Sequence, residues 1–106
     1  MASLKLKPSM KPGTRSYGAA TLAVRVPTAL PTYMRGSVRE IVAVYVPEES
    51  RRQGLASELL TRTVAEAKRT LTVLMLTLED QALEGFYARF GFQAIQRNPK
   101  ILMVHP

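Results

Sequence analysis

The sequence predicts a mixed α/β (α+β) domain, and three neighbouring stretches carry the prediction. Residues 41–46 form a continuous apolar run, Leu55, Leu59, Leu60, Val64 and Ala67 recur at helical spacing, and residues 71–78 are again mostly apolar. A strand, a helix and a second strand in immediate succession pair in parallel through a right-handed crossover when both strands flank the helix in one sheet. The rest of the chain reads as short strands and turns around that unit.

In chain order, residues 4–7 alternate apolar and basic side chains and read as a short edge strand, and residues 8–16, rich in Pro, Lys, Gly and Ser, as a loop. Residues 19–26 read as a strand, and residues 27–36, with Pro27, Pro31 and Gly36, as a second loop. The strand over residues 38–46 is apolar enough to be buried on both faces, which places it near the sheet centre, and Pro47 helps to end its pairing. Residues 54–69 form an amphipathic helix with Glu58, Arg62, Glu66 and Lys68 turned to water, followed by the buried strand 71–78. Residues 82–90 make a short helix with Leu83, Phe86 and Phe90 on one face, ended by Gly91. Residues 92–97 and 101–104, joined around Asn98-Pro99, close the chain as a hairpin. There is no internal repeat.

Composition sets outer limits. With 106 residues, 46% of them hydrophobic, the chain suits one small domain rather than a disordered segment. Without cysteine there is no disulfide, thiolate metal site or cysteine nucleophile, and the lone His105 cannot build a zinc site, so no metal is expected. No apolar run approaches the roughly 20 residues that span a bilayer, and the first residues lack a signal-peptide core, so a cytoplasmic location is expected. Charge is uneven: residues 1–39 hold Lys5, Lys7, Lys11, Arg15, Arg25, Arg35 and Arg39 and no acid, whereas the remainder balances eight bases against eight acids. The net +7 therefore comes from the front, which is expected to seek anions or to be plain solvated charge.

Two motifs carry chemistry. Arg51-Arg52-Gln53-Gly54-Leu55-Ala56 stands between the apolar strand and the helix. A helix start leaves amide hydrogens unpaired, its dipole favours negative charge, and Gly54 lets a ligand approach closely, so this loop is suited to a phosphate. Neither the Gly-x-x-x-x-Gly-Lys-Ser/Thr loop nor Gly-x-Gly-x-x-Gly is present, which sets aside the common ATPase and dinucleotide readings. Downstream, Asp80-Gln81-Ala82-Leu83-Glu84-Gly85-Phe86-Tyr87 runs on through Ala88-Arg89-Phe90 to Gly91-Phe92.

Together these two stretches resemble the signatures of the GNAT superfamily of N-acetyltransferases: an Arg/Gln-x-x-Gly-x-Gly/Ala pyrophosphate loop, then Asn/Asp, Ala, Phe-Tyr and Gly-Phe at matching spacing. The resemblance covers residues 38 to the C-terminus and makes the whole chain one minimal GNAT-like domain, with residues 1–18 a basic, loop-rich lead and residues 38–106 the acetyl-CoA-binding core. It implies a mostly antiparallel twisted sheet with a central, splayed parallel strand pair and flanking helices. The pantetheine of acetyl-CoA would lie along the backbone of Val44, Tyr45 and Val46, and the pyrophosphate on Arg51, Arg52, Gln53, Gly54, Leu55, Ala56 and Ser57. Phe86 and Tyr87 would border the cofactor, and Asp80 would either reach the pantetheine or cap the short helix.

The resemblance also implies an activity, acetyl transfer from acetyl-CoA to a primary amine. An ammonium with a pKa of about 10.4 must first lose a proton, and the departing thiolate, of pKa about 8.5, benefits from a hydroxyl that donates to it. Tyr87 matches the family tyrosine for the second task, and Glu40 resembles the glutamate that some lysine-acetylating members use for the first. The residues before Val38 show no helical pattern like the usual roof over the acceptor site. An open acceptor side fits a protein lysine, a protein N-terminus or an aminoacyl-tRNA better than an enclosed metabolite, with a homodimer left open and no membrane partner. The other reading is an inactive GNAT-shaped module that keeps acyl-CoA and docks an anionic partner through its basic front.

Overall fold

The computed structural model describes residues 10–28 and 37–106; the expected edge strand over residues 4–7 and most of the loop over residues 27–36 lie outside the described residues. Among the described residues six strands form one sheet: β1 (Gly13–Tyr17), β2 (Ala20–Arg25), β3 (Val38–Tyr45), β4 (Val73–Leu78), β5 (Gln93–Gln96) and β6 (Ile101–His105). Their order across the sheet is β1-β2-β3-β4-β6-β5, antiparallel throughout except for the central β3–β4 pair. Helix α1 (Leu55–Arg69) makes the crossover between those two parallel strands, and α2 (Glu84–Ala88) follows β4 after a 3-10 turn at Gln81–Leu83. No helix among the described residues is long and apolar enough to cross a membrane.

Alternation along the strands sends Leu22, Val24, Ile41, Leu74, Leu76 and Met103 to one face, where α1 covers them with Leu59, Leu60, Val64 and Ala67. Tyr87 and Phe92 complete that core, so both helices pack on the same side of the sheet. Val38, Met75 and Leu102 point the other way and form a smaller buried cluster. Full burial of a leucine such as Leu60 stabilises the fold by about 1.5–3 kcal/mol.

Four expectations need correction. Residues 13–16 are strand rather than loop: β1 pairs with β2 from Gly13↔Val24 to Tyr17↔Ala20 across the two-residue turn Gly18-Ala19. Hydrogen bonding to β2 and contacts with α1 hold this polar segment extended, and neither is visible in its composition. Secondly, β3 is not buried on both faces, since Val42 and Tyr45 are 44% and 56% exposed. Among the described residues, helices cover only one side of it. Thirdly, Leu71 does not begin β4. It takes the left-handed conformation, φ +52°, and ends α1: its N–H donates to Lys68 O at 3.3 Å and that of Thr72 to Ala67 O at 2.8 Å, the paired bonds of a Schellman cap. Finally, the second helix is shorter than residues 82–90, and Tyr87 is its buried residue while Leu83 is 46% exposed.

Candidate active site

The parallel pair is joined only at its start. Its register runs Val38↔Val73, Arg39↔Leu74, Glu40↔Met75 and then stops, although β3 continues to Tyr45 and β4 to Leu78. A bulge marks the point of divergence: Ala23 faces Ala43 and Val24 faces Ile41, which leaves Val42 unmatched. Beyond it, the β4-facing peptide groups of β3 have no strand partner among the described residues, so a ligand with amide groups can bond there as a strand would. The opening has a volume of about 310 Å³ and is lined by Val44, Tyr45, Val46, Arg51, Ala56, Leu83, Phe86 and Tyr87.

The loop that follows β3 leads into a helix start whose first amides the helix does not use. Arg51 is pinned by its Nε, which donates to Val46 O at 3.0 Å. Arg52 and Gly54 both take left-handed conformations, with φ of +67° and +74°. Gly54 caps α1 without any side-chain hydrogen bond, and the first helical bond runs from Glu58 N to Gly54 O at 3.0 Å. The amides of Leu55, Ala56 and Ser57 are therefore not used by the helix. They border a hollow of about 220 Å³ lined also by Val46, Ser50, Arg51, Arg52 and Gly54. A β-carbon at Gly54 would meet no atom of the described residues within 4 Å, so among them the space above the loop is open.

Tyr87 reaches the same opening from the opposite wall. Its ring is buried, edge-on to Phe86 at 5.2 Å and to Phe92 at 5.9 Å. Its hydroxyl bonds to no described residue, and burial raises its pKa above the ordinary value near 10, so it holds its proton at neutral pH.

Not every expected residue joins this opening. Gln53 is exposed and lines neither hollow. Asp80 accepts from Ala82 N at 2.9 Å and so caps the 3-10 turn before α2. Glu40 lies in the paired part of β3, and its Oε1 accepts from Arg25 Nε at 2.9 Å. Two lining residues, Ser50 and Leu83, were not expected; Leu83 stands three residues before Phe86, where a helical turn brings it to the same wall.

The family model described as an acetyltransferase (GNAT) domain matches residues 17–94. The chain belongs to the GNAT family. The match starts well before residue 38, so the β2 strand and part of β1 are included in the family core. Solved structures agree with this GNAT assignment. The ribosomal-protein-S18-alanine N-acetyltransferase of Escherichia coli superposes with a TM-score of 0.65 at 24% identity, over 83% of this chain and 61% of its own. A GNAT family acetyltransferase from Elizabethkingia anophelis with acetyl-CoA bound gives 0.63 at 16%, over 82% and 67%. Arabidopsis thaliana Naa50 with the bisubstrate analogue CoA-Ac-MVNAL gives 0.63 at 18%, over 83% and 65%. At these identities the likeness is one of fold, and the chain spans between 52% and 67% of the length of the first two structures matched. No curated protein matches the sequence significantly.

Proposed function

We propose that this GNAT protein transfers the acetyl group of acetyl-CoA to a primary amine on a macromolecule, a protein lysine or N-terminus or the amino group of an aminoacyl-tRNA. The carrying observation is the convergence, on one opening, of unpaired β3 peptide groups, the free amides of Leu55 to Ser57, and the Tyr87 hydroxyl. The donor supplies an activated thioester. Peptide groups of Val44 to Val46 hold the pantetheine, the loop amides with Arg51 and Arg52 hold the pyrophosphate, and Phe86 supports the wall. The Tyr87 phenol is a weaker acid than a thiol, so it stabilises the departing thiolate by donating a hydrogen bond rather than by surrendering its proton.

The acceptor amine brings its own lone pair and loses a proton on the way. Glu40, on the sheet face away from the helices with Arg25 fixing its carboxylate, is the group proposed to take it, directly or through water. That same face leaves Val42 and Tyr45 exposed, which favours a macromolecular acceptor. Peptide acceptors are represented among the structural neighbours by the NatC complex bound to Gag peptide and CoA. The docking-module reading loses ground because two cations of the basic front already have partners: Arg15 pairs with Glu66 and Arg25 with Glu40.

Incubation with acetyl-CoA, a thiol reporter and a mixed set of peptides, aminoacyl-tRNA and polyamines tests the proposal. Acceptor-dependent thiol release is expected, strongest with the macromolecular acceptors. Tight acetyl-CoA binding with no release for any acceptor would favour the inactive module, and absence of acetyl-CoA binding would end both readings.

A further inference from the structure

Strands β2, β3, β4 and β6 contain a single acid, Glu40, and two arginines, Arg25 and Arg39. Arg39 is occupied within the fold: its Nε donates to Met10 O at 2.7 Å and its Nη1 to Val38 O at 2.8 Å. Arg25 stands opposite Glu40 in the β2–β3 register and engages it through Nε alone, at 2.9 Å to Oε1. Neither Nη of Arg25 nor Oε2 of Glu40 makes a hydrogen bond to a described residue. The Glu40 side chain is 13% exposed and that of Arg25 52%, so the carboxylate lies low in the face and the guanidinium fork stands out from it.

The surroundings of this pair are apolar. Val38, Met75 and Leu102 form the buried cluster beside it, and the exposed Val42 and Tyr45 continue along β3. Glu40 ends the pairing of β3 with β4, and Val42 lies two residues, about 6–7 Å, into the open stretch. A ligand that fits here carries the opposite charges in the opposite places: an ammonium for Glu40 and, close by, an anion for the fork of Arg25. A polypeptide N-terminus with an acid at its first or second residue has that form, its carboxylate standing within about 4–8 Å of its amine. A lysine instead carries its amine on a four-carbon stem, away from any flanking acid. An aminoacyl-tRNA places an ester and a ribose between its amine and the nearest phosphate.

We propose that the Arg25–Glu40 pair makes this protein select polypeptide N-termini that carry Asp or Glu at the first or second residue. Arg25 holds that carboxylate through its two Nη groups while Glu40 faces the amine. The proposal rests on the acetyl-transfer reading above and narrows its acceptor. The planar fork of arginine matches a carboxylate in a way that an ammonium does not, and the exposure of Arg25 moderates the attraction.

Acetyl transfer to matched, lysine-free peptides beginning Asp, Asn, Ala-Asp and Ala-Asn tests this. The kcat/KM value is expected to be about three- to twentyfold higher for each acid than for its amide, the order of one charge-assisted contact at a half-exposed site, and the two should converge as salt is raised. A carboxylate near an amine favours the protonated amine, so the chemistry of the peptides themselves works against that preference. In Arg25→Gln the acid-to-amide ratio should fall to about one, and in Arg25→Lys, whose single ammonium stays with Glu40, to an intermediate value. Release of Glu40 from Arg25 slows acid and amide peptides alike, so the ratio separates recognition from positioning. A ratio near one in the unaltered protein, the parent ratio retained in Arg25→Gln, or free aspartate, a lysine side chain or aminoacyl-tRNA used in preference to these peptides would overturn the role of Arg25 and leave acetyl transfer standing. No thiol release with any acceptor would overturn both.

Discussion

Tyr87→Phe removes a single hydroxyl from this protein and leaves its packing in place. The ring keeps its edge contacts with Phe86 and Phe92, and the lost hydroxyl forfeits no hydrogen bond to a described residue. Stability should change by no more than about 0.5 kcal/mol, or about 4 °C in Tm for a domain of this size. The chemical cost should be larger. Burial holds the phenol above its ordinary pKa near 10, against about 8.5 for the departing thiol, so full proton transfer to the thiolate is uphill by about 2 kcal/mol or more. In the proposed reaction the hydroxyl acts as a hydrogen-bond donor that strengthens as negative charge grows on sulfur. Loss of one such donor costs about ten- to a thousandfold in rate, about 1.4–4 kcal/mol in the barrier. Single-turnover thiol release at saturating acetyl-CoA measures that step, and calorimetry measures donor affinity separately. Binding within about twofold of the parent with a slowed step is the expected pair of results. An unchanged single-turnover rate would refute the reasoning and assign Tyr87 to packing alone.

Gly54→Val places a β-branched residue at φ +74°, which costs about 1–2 kcal/mol of backbone strain, and stands a side chain before the loop amides. Acetyl-CoA should no longer raise its Tm, whereas Gly54→Asn, more tolerant of that conformation, should lose less stability while also binding weakly; an undiminished ligand-induced shift in both would remove the loop from the site. Arg15 grips Glu66 with two bonds of 3.1 and 2.9 Å, so Arg15→Gln should cost about 1–2 kcal/mol in chemical denaturation, and a change near zero would return Arg15 to the pool of solvated charge. Leu71→Gly relieves the left-handed strain at the α1 cap and should stabilise by about 0.5–1 kcal/mol, with a lowered Tm as the contrary result. His105 is buried with no partner for Nδ1 among the described residues, and burial, aided by the positive charge of Lys68, holds its pKa below the ordinary 6.5. The unfolded chain therefore gains a proton that the native state refuses, so Tm should fall as pH drops below about 6.5 toward the native pKa. The His105→Leu variant should lack that slope, and an identical slope in both proteins would place its cause elsewhere.

How much of this was legible in the sequence depends on whether the signal is local. The β3, α1 and β4 unit shows because its apolar residues repeat with the period of the element that buries them, and the β5–β6 hairpin because Asn98-Pro99 marks a turn between the short mixed stretch 92–97 and the apolar run 101–104. The loop at Gly54 shows because a glycine and a helix start are adjacent in the chain. The β1 strand does not: Gly13 to Ser16 is polar, and only pairing with β2 and contact with α1 make it a strand.

Chain order alone therefore determined the family signatures, the crossover unit and the positions of Gly54 and Tyr87. Tertiary structure decided which groups are left over. That the β3–β4 register stops at Glu40↔Met75, that Asp80 turns back to cap Ala82, that Arg15 is taken by Glu66, and that Arg25 meets Glu40 through Nε alone are all outcomes of competition between partners distant in sequence. Each peptide group, carboxylate or guanidinium has many acceptable partners in an extended chain. Packing selects among them by distance and burial, and a one-dimensional pattern carries neither quantity.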